Sequence, residues 1–260
     1  MAVRRKIDNV DTTIETPKKE SILKNYSVET LFDNITLKQS KSGYRHSIDP
    51  ILVSHFAKPS AGDKVIDLGT GCGIIPILLA DNISPLEIIG VEIQSSLAEF
   101  AKDNIMANNM SDDIKIINSD MKKIKSHIEP ASVDMVITNP PYTKKNSGRI
   151  NPDSERAIAR HEIKITLAEL VEIAAELLKD SGKFVIVYPK KRLSEVLAVM
   201  VSNGINPELL RLVHTKKDVA PKLFLLSGEK RGSKELVVAP PLYIFDESAV
   251  CIDGIAKMFQ

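Results

Sequence analysis

From Lys64 onward, short apolar runs alternate with stretches whose apolar residues recur at helical spacing. Lys64 to Leu68 reads as a strand, and the helix after it runs through Ile75 to Ala80. Pro76 falls in that helix's first turn, where its missing N–H does no harm. Glu87 to Val91 is the next strand and Ser95 to Asn108 the next helix, capped by Ser95 or Ser96. Ile114 to Ile117 and Val133 to Thr138 follow as strands. About twenty residues without periodicity, Thr143 to Glu162, then interrupt the pattern, a length that in compact domains marks a functional or disordered loop. It resumes as a helix over Ile165 to Lys179, with Gly182 just past its end, a strand over Lys183 to Tyr188 and a helix over Leu193 to Asn203. Leu209 to Val213 and Leu223 to Leu226 are further strands, and an extended tail runs through Val237 and Leu242 to Ile244.

Strands alternating with helices predict a doubly wound α/β fold, a mostly parallel seven-stranded sheet covered on both faces. Late strands without a long helix between them predict an antiparallel strand near one edge. Upstream, the first two dozen residues lack apolar periodicity, apolar content rises from Leu31 to Phe56, and Ile48 to Phe56 reads as a helix. The organisation expected is a polar lead over 1–30, one domain with an N-terminal cap segment over 31–246, and a tail over 247–260.

Composition narrows the class without naming it. Apolar residues at 43% supply ample material for a core. Thirty-five Lys and Arg against 34 Asp and Glu leave a net charge of +1, so overall charge does not announce a nucleic-acid partner. No run approaches the ~18 apolar residues of a membrane span, and the charged start does not resemble a signal peptide. Cys72 and Cys251 stand far apart, which excludes a disulfide framework and a cysteine metal cluster, so no metal is expected. A cytoplasmic setting with no membrane contact fits.

The chemistry begins at Asp67-Leu68-Gly69-Thr70-Gly71-Cys72-Gly73, between a strand and a helix. Glycines there let a ligand approach the backbone at the carboxyl ends of the strands. Asp67 is placed to accept hydrogen bonds from an ammonium group. A dinucleotide turn requires a third glycine further on, and Ile74 occupies that position. Glu92, ending the second strand, suits the two ribose hydroxyls of either cofactor, dinucleotide or simple adenosine, and does not discriminate, whereas Asp120, just past the third, suits an adenine amino group. Acids at three successive strand ends point to an adenosine lying in the cleft without a pyrophosphate. Cys72 is small enough for the turn and is assigned no reactivity.

Asn139-Pro140-Pro141-Tyr142 follows the fourth strand and therefore opens on the same cleft. The two prolines fix the backbone, so that the Asn139 side-chain oxygen and the Pro140 carbonyl converge as acceptors for an NH₂ group. Tyr142 offers a face on which a base or amide plane stacks. An exocyclic amine delocalises its lone pair into the ring. Acceptors for its protons favour a pyramidal nitrogen and release that lone pair for methyl transfer, with no strong base required.

Together the glycine turn, Glu92, Asp120 and the Asn-Pro-Pro-Tyr motif resemble the class I Rossmann-like amino-methyltransferases that use S-adenosylmethionine. Gly43 to Asp49 upstream and Ala159-Arg160-His161-Glu162 downstream narrow the resemblance to the bacterial tRNA(Val) adenine N6-methyltransferases, which modify an adenosine beside the anticodon. It runs from about Tyr26 to Ile244. The resemblance implies that Asp67, Gly69, Gly71, Glu92 and Asp120 hold the methyl donor, with Thr70, Gly73, Ile93, Met121 and Asn139 completing that set. It also implies that Asn139, Pro140 and Tyr142 act on the target base, with Pro141 beside them, and that tRNA is the partner. In this family the Tyr44 to Asp49 segment closes over the donor.

Lys144, Lys145, Arg149 and Arg160, with Arg156, are candidate phosphate contacts in the long loop. Lys190, Lys191 and Arg192, and Lys216 and Lys217 in a β-turn, are further candidates. The nearest rival is glutamine methylation in release factors, but such enzymes carry a helical N-terminal domain that the roughly 30 residues before Leu31 are too few to build. A DNA adenine methyltransferase requires a target-recognition region for which there is no insertion of that size. A silent RNA-binding module would have no use for Asn139 and Glu92, and a nicotinamide oxidoreductase comes last.

Overall fold

The computed structural model describes residues 26–31, 35–40, 48–84, 86–141 and 165–246. Ten strands and five α-helices are assigned among them. The order is β1 (Tyr26–Leu31), β2 (Ile35–Ser40), α1 (Asp49–Ala57), β3 (Lys64–Leu68), α2 (Ile74–Asn82), β4 (Glu87–Glu92), α3 (Ser95–Ala107) and β5 (Ile114–Asn118). A 3-10 turn (Met121–Ser126) leads to β6 (Val133–Thr138), α4 (Leu167–Leu177) and β7 (Leu178–Pro189). A second 3-10 turn (Lys190–Arg192), α5 (Leu193–Ser202), β8 (Ile205–His214), β9 (Leu223–Lys230) and β10 (Val237–Tyr243) complete it.

The main sheet runs β10-β8-β9-β7-β6-β3-β4-β5. Pairing is parallel from β5 through β7, antiparallel on both sides of β9, and parallel again between β8 and β10. The doubly wound sheet with one antiparallel strand near an edge is therefore present, with eight strands in place of the expected seven. The eighth is the extended tail. Val237 and Val238 are exposed, Pro240 and Pro241 lack backbone donors, and the register shifts between Ala239 and Leu242. Prolines are tolerated only on such an edge, and they erase the alternation that would mark a strand.

Successive residues of the central strands point to opposite faces and build two cores. Val65, Ile88, Met135 and Val185 pack under α1, α2 and α3. Ile66, Ile89, Val136 and Phe184 pack under α4, α5 and the first 3-10 turn. Among the described residues no helix is long and apolar enough to cross a membrane. α4 begins with a capping box: Thr166 accepts from the Glu169 N–H while the Glu169 carboxylate accepts from Thr166. The cap expected of Ser95 or Ser96 is absent. Gln94 is the N-cap of α3, and the Ser95 hydroxyl donates to Asn118 Oδ1 at 2.9 Å, tying the helix start to β5.

β1 and β2 form an antiparallel hairpin that opens at Tyr26, inside the stretch whose polarity suggests a lead. Two asparagines one turn apart, Asn104 in α3 and Asn108 at its C-cap, hold it by imitating a neighbouring strand. Asn108 accepts from Thr36 N at 2.9 Å and donates to Thr36 O at 2.8 Å. Asn104 does the same for Lys38 at 2.7 and 3.1 Å, and donates to Cys72 O at 2.9 Å. The hairpin is thereby fastened to the glycine turn. Polar residues on an amphipathic helix read as its wet side, which is why the hairpin escapes a periodicity argument.

Candidate active site

The strand order reverses between β3 and β6: β4 and β5 continue on one side, β7 on the other. A crevice opens at that point, outside the carboxyl ends of the strands, and ligands of open α/β sheets sit there. Asn139, Asp67, Glu92 and Asp120 lie at or just beyond the ends of β6, β3, β4 and β5, which are consecutive in the sheet. Three strand spacings separate the outer two, about 14 Å. The buried Thr138 hydroxyl donates to Leu68 O at 2.7 Å and locks the ends of β6 and β3 together.

The glycine turn is folded back on β4, with Gly69 N and Thr70 N both donating to Val91 O at 2.9 and 3.0 Å. Gly69 has φ +85°, and a side chain begun there would meet the Met121 methyl at 4.0 Å. Gly73 caps α2 at φ +86°, where an added Cβ would stand 3.2 Å from Ala101 Cβ. L-residues rarely adopt that conformation, so both positions require glycine. Gly90, level with Asp67 in the register, serves differently. A Cβ there would come within 2.9 Å of the Thr70 side chain, so its bareness makes room for the turn.

Asp67 is fully buried, and neither carboxyl oxygen has a hydrogen-bond partner. Burial pushes its pKa from 3.8 up to about 7; the nearby Thr70 hydroxyl, itself outside hydrogen-bonding geometry, offsets part of this, and the charge of Glu92 adds to it. An isolated buried carboxylate is costly, so a site that keeps one suits a cationic group. Glu92 is 5% exposed and braces the turn, accepting from Gly71 N at 3.0 Å and Gln94 N at 2.8 Å. A carboxylate offers about four lone-pair positions, so bracing the turn is compatible with accepting hydroxyls. Ile93, Asp120 and Met121 are half-buried along the same edge, Asp120 capping the 3-10 turn through Lys122 N. Burial pushes the Cys72 thiol up to about 12, which leaves it inert at neutral pH.

Asn139 is half-buried, Pro140 buried and Pro141 half-buried. Behind them stands a group the motif does not reveal. The Tyr188 hydroxyl donates to Pro141 O at 3.3 Å and accepts from Arg192 Nη1 at 2.7 Å. The guanidinium carbon of Arg192 lies 5.0 Å from the Tyr188 ring centroid, and Glu195 grips its other nitrogens at 2.9 and 2.6 Å. Arg192 is only 5% exposed, so it is an internal brace, and its expected place among the solvent-facing phosphate contacts is withdrawn. Tyr188→Phe is expected to cost about 1–3 kcal/mol of stability, because the buried guanidinium loses an acceptor. Turnover should fall while donor affinity stays within about twofold, since Tyr188 touches the proline turn and not the glycine turn. Thermal melting, kcat and a dissociation constant for S-adenosylhomocysteine would check this.

The structure thus brings Asp67, Gly69, Thr70, Gly71, Gly73, Glu92, Ile93, Asp120, Met121, Asn139 and Pro140 to one edge. Tyr142, Lys144, Lys145, Arg149 and Arg160 lie outside the described residues, as do Tyr44 to Ser47 and Ala159 to Glu162. Thr138, Gly90, Asn104 and Tyr188 are positioning groups that the motifs do not name. Each acts through a long-range contact invisible in local spacing.

The sequence model of the methyltransferase small domain matches residues 47–203. A Porphyromonas gingivalis protein named tRNA1(Val) (adenine(37)-N6)-methyltransferase is 30% identical over 200 residues, 75% of this chain and 78% of that protein. Proteins of the same name from Tolumonas auensis and Dyadobacter fermentans are 28% and 25% identical, covering 75% and 85% of this chain and 80% and 91% of their own. Among solved structures, a predicted O-methyltransferase from Agrobacterium tumefaciens superimposes with a TM-score of 0.66 at 16% identity, over 81% of this chain and 94% of that one. M. jannaschii TYW2 in complex with AdoMet gives 0.56 at 18%, over 79% and 85%. At these identities the two structures speak to the fold.

Proposed function

The chain belongs to the methyltransferase small-domain family, and on that footing we propose that it transfers a methyl group from S-adenosylmethionine to the exocyclic N6 amine of an adenine in tRNA, beside the anticodon. The observation that carries the reading is the pairing of a partnerless buried carboxylate, Asp67, with the Asn139-Pro140 turn on the neighbouring strand end. One suits a cationic donor and the other a planar amine, and they meet at the switch point. The relatives' names supply the substrate class. A tRNA substrate assigns the reaction to the cytoplasm.

Asp67 would take the donor's ammonium, Glu92 its ribose hydroxyls and Asp120 its adenine amino group. Gly69, Thr70, Gly71 and Gly73 would let the donor lie against the backbone, between Ile93 and Met121. When bound, the donor supplies a sulfonium methyl, an electrophile that needs no activation by the protein. Asn139 Oδ1 and Pro140 O would accept the two N–H bonds of the target amine and aim its lone pair. Positioning of this kind contributes through alignment and needs no base before transfer. The nitrogen is cationic once the methyl has moved onto it and the sulfur has left as a neutral thioether, and it then gives its surplus proton to water. Tyr142 would stack on the base, with Pro141 below it, and Lys144, Lys145, Arg149 and Arg160 would contact phosphates.

The test is transfer of radiolabel from S-adenosylmethionine to unmodified total tRNA and, in parallel, to a recombinant release factor. N6-methyladenosine in the tRNA is the expected result. Label in the release factor alone would replace the substrate with a glutamine side chain.

A further inference from the structure

Ion pairs engage seven of the described lysines. Lys64, Lys122, Lys125 and Lys179 are paired with Glu87, Glu169, Glu176 and Asp134 at 3.4, 2.7, 2.6 and 2.8 Å. Lys38, Lys102 and Lys234 are paired as well. Of the described lysines outside these pairs, Lys58, Lys115, Lys123, Lys183 and Lys230 are scattered over the fold, whereas Lys190, Lys191, Lys216, Lys217 and Lys222 occupy one place. Lys190 and Lys191 form the 3-10 turn after β7, two and three residues past Tyr188, whose hydroxyl touches Pro141. Lys190 N donates to Lys222 O at 3.0 Å, so that turn is stitched to the start of β9. Lys216 and Lys217 project from the connection between β8 and β9, which Lys222 N closes on Val213 O at 3.0 Å and His214 Nδ1 fastens to Val219 O at 2.6 Å.

β7, β9 and β8 are consecutive, so these lysines stand along the same edge of the sheet as Asn139, displaced toward its antiparallel end. Glu195, the nearest acid of α5, is already gripped by Arg192. Asp218 and Asp246 are the acids beside these loops, two negative charges near five positive ones, while Asp67, Glu92 and Asp120 lie farther along the edge at the ends of β3, β4 and β5. On the opposite flank Lys122 and Lys125 are neutralised by α4, which leaves one exposed lysine of that turn, Lys123, without an ion pair, against five at the antiparallel end. Unpaired cations held by a rigid backbone lattice beside a substrate cleft suit a polyanion. Two strand spacings, about 10 Å, match roughly three phosphates of a stacked strand.

We propose that Lys190, Lys191, Lys216, Lys217 and Lys222 carry the sugar–phosphate backbone of the RNA substrate, which reaches Asn139 across the β7–β9–β8 end of the sheet and not across α4. The inference rests on the RNA reading given above. It adds a surface and a direction of approach. The contacts are to phosphate, so they position the strand without reading its sequence.

The test uses the full chain and three variants: Lys190→Gln with Lys191→Gln, those two with Lys217→Gln and Lys222→Gln, and Lys122→Gln with Lys125→Gln. Dissociation constants for unmodified tRNA are measured across a salt series, and S-adenosylhomocysteine binding and thermal melting report on fold. The fourfold variant should bind tRNA about 10-fold or more weakly at moderate salt, and its slope of log affinity against log salt should shrink by about three. Its S-adenosylhomocysteine binding should match the parent, and the Lys122, Lys125 variant should bind tRNA within about twofold of it. If the parent binds tRNA and the fourfold variant binds equally with an unchanged slope, the surface is overturned and the RNA reading survives. Equal weakening of the Lys122, Lys125 variant overturns the direction of approach. A parent that neither binds nor methylates tRNA overturns both readings.

Discussion

Asp67→Asn is expected to raise the melting temperature of the ligand-free protein at pH 8 while weakening S-adenosylhomocysteine binding about 10- to 100-fold, the worth of hydrogen bonds to a charged partner. The two effects share one cause. In the ligand-free fold the carboxyl is fully buried without a partner, and its pKa stands at about 7 against 3.8. Three units at ~1.4 kcal/mol each make the ionised form roughly 4 kcal/mol dearer in the fold than in the unfolded chain. Asparagine removes that charge but leaves an amide in the same pocket, which takes back about 1–3 kcal/mol. The net gain is a few degrees of melting temperature.

The sign with pH follows from proton binding. Between pH 4 and 7 the folded state holds a proton on Asp67 that the unfolded chain has released, so stability falls as pH rises through that window and is flat above it. The advantage of Asp67→Asn over the parent should therefore be largest at pH 8 and fade toward pH 4. Donor affinity runs the other way. An ammonium needs the ionised carboxylate, so the parent should lose affinity as pH falls below about 7 and should release a proton on binding near pH 6.5. Calorimetry in buffers of different ionisation enthalpy reads that proton directly. Binding of equal strength at pH 6 and 8, with no proton released, would remove Asp67 from the donor site.

Much of this site was open to a reader of the sequence because it is made of local patterns. Asp67 to Gly73 and Asn139 to Pro141 are contiguous, and each follows an apolar run of strand length. Glu92 ends the next strand and Asp120 stands two residues past the one after it, so counting strands led to them. What stayed hidden depends on contacts between distant segments. Asn104 and Asn108 are unremarkable polar residues until β2 lies 66 to 72 positions away across their amides. Arg192 follows two exposed lysines and shares their charge, yet the Tyr188 hydroxyl turns it inward. β10 was legible only as an extended tail, because a proline-bearing edge strand lacks the alternation that a half-buried strand displays.

Asn139→Ala carries the heaviest expected loss of turnover, about 10²- to 10³-fold in kcat, the usual scale for removing one pre-aligned hydrogen-bonding group from a transition state. The reason is electronic. The N6 lone pair of adenine is delocalised into the ring, and it becomes available only as the nitrogen pyramidalises. Acceptors fixed in space favour that geometry, and here fixation is thorough: Thr138 is bonded to Leu68, Pro140 is buried, and Pro141 is held by Tyr188. Asn139→Asp keeps an acceptor at the same place and should retain more activity than Asn139→Ala. Donor affinity should change little in either, because the partnerless carboxylate and the glycine turn are intact. Single-turnover rates with saturating donor and tRNA, beside S-adenosylhomocysteine dissociation constants, separate the two effects. An alanine variant with normal turnover and lost donor binding would move Asn139 from the target amine to the donor. Because no base of neutral pKa is required at the amine, kcat in the parent should stay flat from pH 6 to 8 while kcat/KM for the donor declines below about 7 with Asp67. A bell-shaped kcat would instead demand a titrating base, for which the amide of Asn139 cannot serve.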